Sequence, residues 1–210
     1  KAGHTKSVLN RALQKAIQCA KWIRTNTNIG SGNTTIGAVA AELSLRIFES
    51  LSDAKILLAG SGEVGRSVAM ALAARGAENI TVASRTWQNA LALSDDVKGS
   101  AINFERIARE LGKFDIAIFA LSQAPDIINF ATAQAAESSR KKPLFLIDLA
   151  VPRNVSAACA SLGGVFLYDL SDLTKIANEN IEMRLGEIGR AKKIAEEKVE
   201  YLLQKIGNLF

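Results

Sequence analysis

The run Lys55-Ile-Leu-Leu-Ala59, followed by Gly60-Ser-Gly-Glu-Val-Gly65 and then the helix-forming Arg66-Ser-Val-Ala-Met-Ala-Leu-Ala-Ala-Arg75, constrains this chain more than any other stretch. An apolar strand, a turn with glycines at its first, third and sixth positions, and a helix form the opening half of a dinucleotide-binding βαβ unit. Gly60 permits the sharp turn, Gly62 admits a pyrophosphate close to the backbone, and Gly65 lets the helix pack against its strand. Ser61, Glu63 and Val64 complete the turn and contribute N–H groups at the helix start, where the macrodipole favours an anion. Gly76 then ends the helix and Asn79-Ile-Thr-Val-Ala83 reads as a second, β-branched strand.

The end of that second strand selects the cofactor. An NAD enzyme places a carboxylate there, about twenty residues past the glycines, to bind the ribose 2′-hydroxyl. This chain has Ser84-Arg85-Thr86 instead. A guanidinium flanked by two hydroxyls suits a 2′-phosphate through charge-assisted hydrogen bonds, so the cofactor expected is NADPH. The plainer alternative makes Arg85 a solvated surface residue and Thr86 an N-cap for the next helix.

Further strands are expected near Ala101-Ile-Asn103, over Asp115–Ala120, over Leu144–Asp148 and over Val165–Tyr168, with helices at about 87–95, 104–111 and 127–139. The fold class is therefore α/β, a doubly wound Rossmann-like parallel sheet. The loop leaving the fourth strand, Leu121-Ser-Gln-Ala-Pro-Asp126, lies where the nicotinamide end belongs, which makes Ser122 a cofactor-binding candidate. Asp148-Leu-Ala-Val-Pro-Arg-Asn154 is a second unusual stretch. Asp148 and Arg153 could face that pocket, but a pair between them, or a cap on the loop, is favoured.

Before the nucleotide unit, Val8, Leu9, Ala12, Leu13, Ala16, Ile17, Ala20 and Ile23 recur at helical spacing, with Cys19 beside the stripe as a buried structural thiol. A second helix begins at Ile36 and carries its apolar face to Leu51. After Asp169, apolar residues from Leu170 to Ile206 keep a period near 3.6, and this long stripe calls for a partner, most simply a second copy of the chain. The organisation expected is a helical connector over 1–52, a nucleotide domain over 53–168 and a helical dimerisation domain over 169–210.

Charge is uneven. Residues 1–30 carry six basic and no acidic side chains, leaving 20 basic and 21 acidic ones for the other 180 residues. A polyanionic partner would fit that end, and so would a solvated basic helix face. Two distant cysteines and a single histidine point to a reducing, cytoplasmic setting without a metal site, and no apolar run is long enough to span a bilayer.

Taken together, these residues resemble glutamyl-tRNA reductase of tetrapyrrole (5-aminolevulinate, porphyrin) biosynthesis. Val8-Leu-Asn-Arg-Ala-Leu-Gln-Lys-Ala16 with Ala20-Lys-Trp-Ile-Arg-Thr25 is similar to the family's helix joining catalytic and cofactor domains. Gly60–Gly65 and Val82-Ala-Ser-Arg-Thr86 are similar to its NADPH-binding segments, and Asp148–Arg153 with Phe166-Leu-Tyr-Asp-Leu170 to its most distinctive stretch. Four positions depart from the pattern: Ser84 stands for the usual Asn, Asn154 where Asp is common, and Ser122-Gln123 where Ser and Thr are common.

The resemblance implies an NADPH-dependent oxidoreductase that homodimerises through its C-terminal helices and acts on tRNA(Glu), with the aminomutase that takes up glutamate-1-semialdehyde as a candidate partner. A cysteine thiolate would accept the glutamyl group as a thioester, and hydride would release the semialdehyde. Neither Cys19 nor Cys159 matches the family's nucleophile, so this chain is expected to carry no catalytic residue, to lack the catalytic domain and to be incompetent alone. Its Lys1 start suggests a fragment of a longer protein. A stand-alone NADPH-binding module and a shikimate-dehydrogenase-like oxidoreductase are the alternatives.

Overall fold

The computed structural model describes residues 7–27, 35–122 and 126–207. Six strands alternate with helices: β1 Lys55–Ala59, β2 Asn79–Ser84, β3 Ser100–Asn103, β4 Ile116–Phe119, β5 Leu144–Asp148 and β6 Val165–Asp169. They form one sheet in the order β3-β2-β1-β4-β5-β6, every neighbouring pair parallel. The chain starts in the middle, winds outward to β3, returns to β4 beside β1 and winds outward again. The reversal of order therefore falls between β1 and β4, as the doubly wound reading requires.

Parallel strands joined by crossover helices bury both faces, so they read as continuous apolar runs. Ile56, Leu58, Ile80, Val82, Ile116 and Ile118 fill one core, under α2 (Ile36–Phe48), α3 (Glu63–Ala73) and α4 (Trp87–Asp96). Leu57, Ala59, Ala117, Phe119 and Leu146 fill the other, under the short α5 (Ile107–Glu110) and α6 (Phe130–Ser138). Helix α2 packs so closely on α3 that a Cβ at Gly37 would lie 2.4 Å from the Ser67 hydroxyl.

Helix α7 (Leu170–Gly207) follows β6 without an intervening loop. Its first N–H groups are satisfied by a reciprocal cap. Asp169 Oδ1 accepts from the N–H groups of Ser171 at 2.8 Å and Asp172 at 3.2 Å, while Asp172 Oδ2 accepts from the Asp169 N–H at 3.1 Å. Leu173 and Ala177 anchor the opening turns in the first core.

The chain divides into two compact units, residues 33–177 and residues 1–32 with 178–210. In the second unit, α1 (Ser7–Asn26) and the end of α7 meet through Lys198, whose ammonium lies 5.3 Å from the Trp22 ring centroid. Leu13 and Ile17 of the expected apolar stripe are exposed. Cys19 is half-buried and not the buried thiol expected; the helix face it shares is only partly covered. The helices expected at 36–51 and 127–139 are shorter, at 36–48 and 130–138. Glu49 ends the first in a positive-φ conformation (φ 59°), and Asn129 caps the second by accepting the Thr132 N–H at 2.9 Å.

Candidate functional site

In a doubly wound sheet the ligand crevice belongs at the C-terminal edge, at the reversal of strand order between β1 and β4, and the turn between β1 and α3 lies there. Each of the three glycines meets a different physical demand. Gly60 sits at φ +123°, and a Cβ there would come 2.4 Å from the Ala120 carbonyl oxygen. A Cβ at Gly65 would come 2.0 Å from the Gly60 carbonyl oxygen, so only glycine allows α3 this close to the turn. At Gly62 a Cβ would meet nothing within 4 Å. Gly60 and Gly65 thus serve the protein's own packing, and Gly62 borders open space.

That space faces the start of α3. A helix leaves its first N–H groups without intrahelical partners, and Gly62, the N-cap, offers no side chain to take one. Helices α2 and α6, by contrast, are capped by Thr35 and Asn129. Ser61, Glu63 and Val64 are half-buried or exposed around the opening, while Gly65 is buried beneath it.

Beside the turn, β2 delivers Ser84, Arg85 and Thr86. The Ser61 and Ser84 hydroxyls lie 2.8 Å apart, so one donates to the other and ties the glycine turn to the end of β2. Arg85 is exposed and has no hydrogen bond or ion pair among the described residues. Thr86 occupies the N-cap position of α4, but its hydroxyl makes no capping bond there. The two alternatives for Thr86 thus divide: it has the place of a cap and leaves its hydroxyl uncommitted. Ser122 is exposed in the loop directly after Ala120 and Leu121, the residues against which Gly60 packs. Gln123, Ala124 and Pro125 lie outside the described residues.

The loop after β5 emerges at the same edge of the sheet, beside the loop that follows β4. Its expected Asp148–Arg153 pair does not form. Asp148 is buried and spends its carboxylate on the backbone, Oδ1 accepting from Ala150 N at 3.1 Å and Oδ2 from Val155 N at 2.9 Å. Burial pushes its pKa above the usual carboxylate value, against the downward pull of these N–H groups. Arg153 instead pairs with Asp169, whose carboxyl is held below its ordinary value chiefly by the Ser171 hydroxyl. The capping alternative therefore describes Asp148.

Asn154 is the residue that sequence reasoning passed over as a mere departure. It is fully buried; its Oδ1 accepts the Leu121 N–H at 3.0 Å and its Nδ2 donates to the Leu121 carbonyl at 3.1 Å. One side-chain amide thus clasps both backbone groups of the residue preceding Ser122. Asp148 fixes the loop and Asn154 joins it to the neighbouring loop, while Val151 at the tip remains 78% exposed. The signal available in sequence was an amide closing a Pro-containing loop, whose long-range partner no spacing reveals.

A dinucleotide fits these residues. The cradle at Gly62 is open and uncapped, and the flanking loops are tied down from behind by buried polar groups. Among the described residues no group of three or more His, Cys, Asp or Glu side chains could hold a metal ion, and no helix is long and apolar enough to cross a membrane.

Fold and crevice together define an oxidoreductase domain of the nicotinamide-dinucleotide-binding, Rossmann-like class. Residues 42–176 match the shikimate / quinate 5-dehydrogenase family, and the chain belongs to it. Its curated homologues are, more particularly, glutamyl-tRNA reductases. The chain is 38% identical to that of Akkermansia muciniphila over 94% of its own length and 58% of the relative's. It is 37% identical to that of Sulfurihydrogenibium sp. over 96% of its length and 46% of the relative's. The solved glutamyl-tRNA reductase from Methanopyrus kandleri superposes on 99% of this chain with a TM-score of 0.88 at 31% identity, over 52% of the solved chain. The chain spans about half the length of the curated relatives it matches.

Proposed function

We propose that this chain is the NADPH-binding and dimerisation portion of a glutamyl-tRNA reductase, which converts glutamyl-tRNA(Glu) to glutamate-1-semialdehyde for tetrapyrrole biosynthesis. The observation that carries the cofactor assignment is the open, uncapped cradle at Gly62 beside an unpartnered Arg85 with no carboxylate at the end of β2. The N–H groups at the start of α3 receive the pyrophosphate, and the Arg85 guanidinium with the Thr86 hydroxyl receives the 2′-phosphate. Ser84, already bonded to Ser61, holds the turn against β2 and presents its remaining hydrogen-bonding capacity to the ribose. Ser122, in the loop anchored by Asn154, borders the nicotinamide end. NADPH, when bound, supplies the hydride. The thiol that carries the glutamyl group belongs to a part of the enzyme represented in the other half of the relatives' length; Cys159 is buried and Cys19 lies in the unit that does not contain the crevice.

Fluorescence titration with NADPH and NADH tests the reading. NADPH should bind the tighter of the two, and Arg85→Ala should weaken NADPH at least about tenfold, as for loss of a charged hydrogen-bond donor, and leave NADH unchanged. Equal affinities for the two cofactors, or no effect of the substitution, would refute it. The family match to shikimate / quinate 5-dehydrogenase favours a second reading, a dehydrogenase acting on a small hydroxy acid. Shikimate-dependent reduction of NADP by the longer protein would select it.

A further inference from the structure

At the edge of the sheet remote from the crevice, where the strands begin, the surface holds a concavity of about 300 Å³. It lies between the starts of β1, β4 and β5, and four lysines line it: Lys55, Lys113, Lys141 and Lys142. All four are exposed. They come from three separate stretches of sequence; the run Arg140-Lys-Lys142 is visibly basic, but only the fold brings Lys55 and Lys113 beside it.

The concavity is built as well as charged. Arg140 is almost fully buried and turned inward. Its Nε donates to the Lys142 carbonyl at 2.7 Å, its guanidinium also donates to the Phe114 carbonyl, and one NH2 reaches Asp115 Oδ1 at 3.0 Å. Asp115 Oδ2 in turn accepts the Lys55 N–H at 3.0 Å. The guanidinium is therefore committed to the protein and fixes the backbone of the turn that carries Lys141 and Lys142. It also neutralises one of the two carboxylates in the lining, leaving Asp53 against four ammonium groups. Of the four ammonium groups only Lys113 forms an ion pair among the described residues, with Glu110 at 3.7 Å.

We propose that this concavity binds the phosphodiester backbone of an RNA. Ammonium groups on flexible stems act as point charges for phosphate, and several of them on one fixed surface match a repeating anion better than a single one. No aromatic side chain lines the site, so bases find nothing to stack on, and recognition is of backbone charge and not of base identity. No exposed large apolar residue lies in the lining either, so a membrane surface lacks an anchor. The choice of RNA among polyanions rests on the glutamyl-tRNA reading above; the basic site itself stands independently of the cofactor crevice.

The test is the anisotropy of a fluorescein-labelled tRNA(Glu) transcript titrated with the full chain between about 50 and about 200 mM salt. Lys141→Ala/Lys142→Ala removes two exposed charges and leaves the backbone carbonyl that Arg140 holds. It should weaken binding at least about fivefold and make the log–log salt dependence shallower by about 1.8, as for two lost phosphate contacts. The charge-matched control Lys98→Asn/Lys175→Ala, away from the concavity, should bind as the parent does. Equal losses in the two doubles would mean diffuse attraction and would overturn the proposal. So would no loss in the first, no binding by the parent chain at the lowest salt, or a loss confined to inorganic phosphate or to phosphatidylserine vesicles. NADPH titration of the same proteins keeps the two readings apart: failure there with intact lysine-dependent RNA binding removes the cofactor assignment and leaves this one.

Discussion

Gly62 and Gly65 are three residues apart in one turn, yet alanine at each should do opposite things. At Gly62 the backbone has φ −71° and ψ −172°, which any residue adopts, and a Cβ meets nothing within 4 Å. Replacing it restricts the unfolded chain, a gain of about 0.4–1 kcal/mol, and exchanges an adequate N-cap for a poor one, a loss of similar size. Stability should therefore stay within about 1 kcal/mol of the parent. The same methyl group projects into the space assigned to the pyrophosphate and displaces it from the helix N–H groups. Losing one charge-assisted hydrogen bond costs about 1.5–3 kcal/mol, which is roughly tenfold to 150-fold in affinity. At Gly65 a Cβ would overlap the Gly60 carbonyl oxygen at 2.0 Å, and that atom belongs to a backbone held by β1 and β2. Overpacking of this kind costs about 3 kcal/mol, or about 6–12 °C in Tm for a unit of this size. Urea melts and NADPH titrations of both variants check the pair. If Gly62→Ala binds NADPH as well as the parent, the phosphate does not lie over that residue; if Gly65→Ala melts with the parent, the close approach of α3 is not a constraint.

Asn154→Ala should cost about 2–4 kcal/mol in urea-induced unfolding, because it strips partners from two buried backbone groups of Leu121; a loss below about 1 kcal/mol would mean that water replaces the amide. Asp169→Asn should cost about 1 kcal/mol at pH 7 by weakening the charged cap and the Arg153 pair. The folded-state pKa of Asp169 is depressed, so its contribution is full above the unfolded value of 3.8 and disappears as pH falls through the lower folded value; the gap between variant and parent should close in acid, and a gap independent of pH refutes the charge argument. Asp148 has the opposite sign, its raised pKa making stability fall as pH rises through the window above 3.8. Sedimentation of the full chain should give a dimer, and a monomer with residues 170–210 intact would remove the assignment of that helix.

What the sequence made legible was whatever rests on local periodicity. The β1–turn–α3 unit, the β-branched β2 and the apolar runs of β4 and β5 are parallel-sheet patterns, and each forms where it reads. Helix ends were less legible, because caps such as Asn129 act through one hydrogen bond that composition does not mark. The site divides in the same way. Its glycines and the absence of a carboxylate after β2 are sequence facts, whereas the Ser61–Ser84 bond joins residues 23 positions apart and the Asn154–Leu121 clasp spans 33. Asp148 and Arg153 looked like partners because they are near in sequence, but the strand end turns Asp148 inward and leaves Arg153 closer to Asp169.

The junction of β6 with α7 has a mechanical implication. Hydrogen bonding passes from ladder to helix at Asp169 without a spacer, so the azimuth of the opening turns is set by the last strand. Adding a single residue after Asp169 would turn the opening turns by about 100° and carry Leu173 and Ala177 off their core contacts. Deletions and insertions at this seam should consequently be among the least tolerated in the domain.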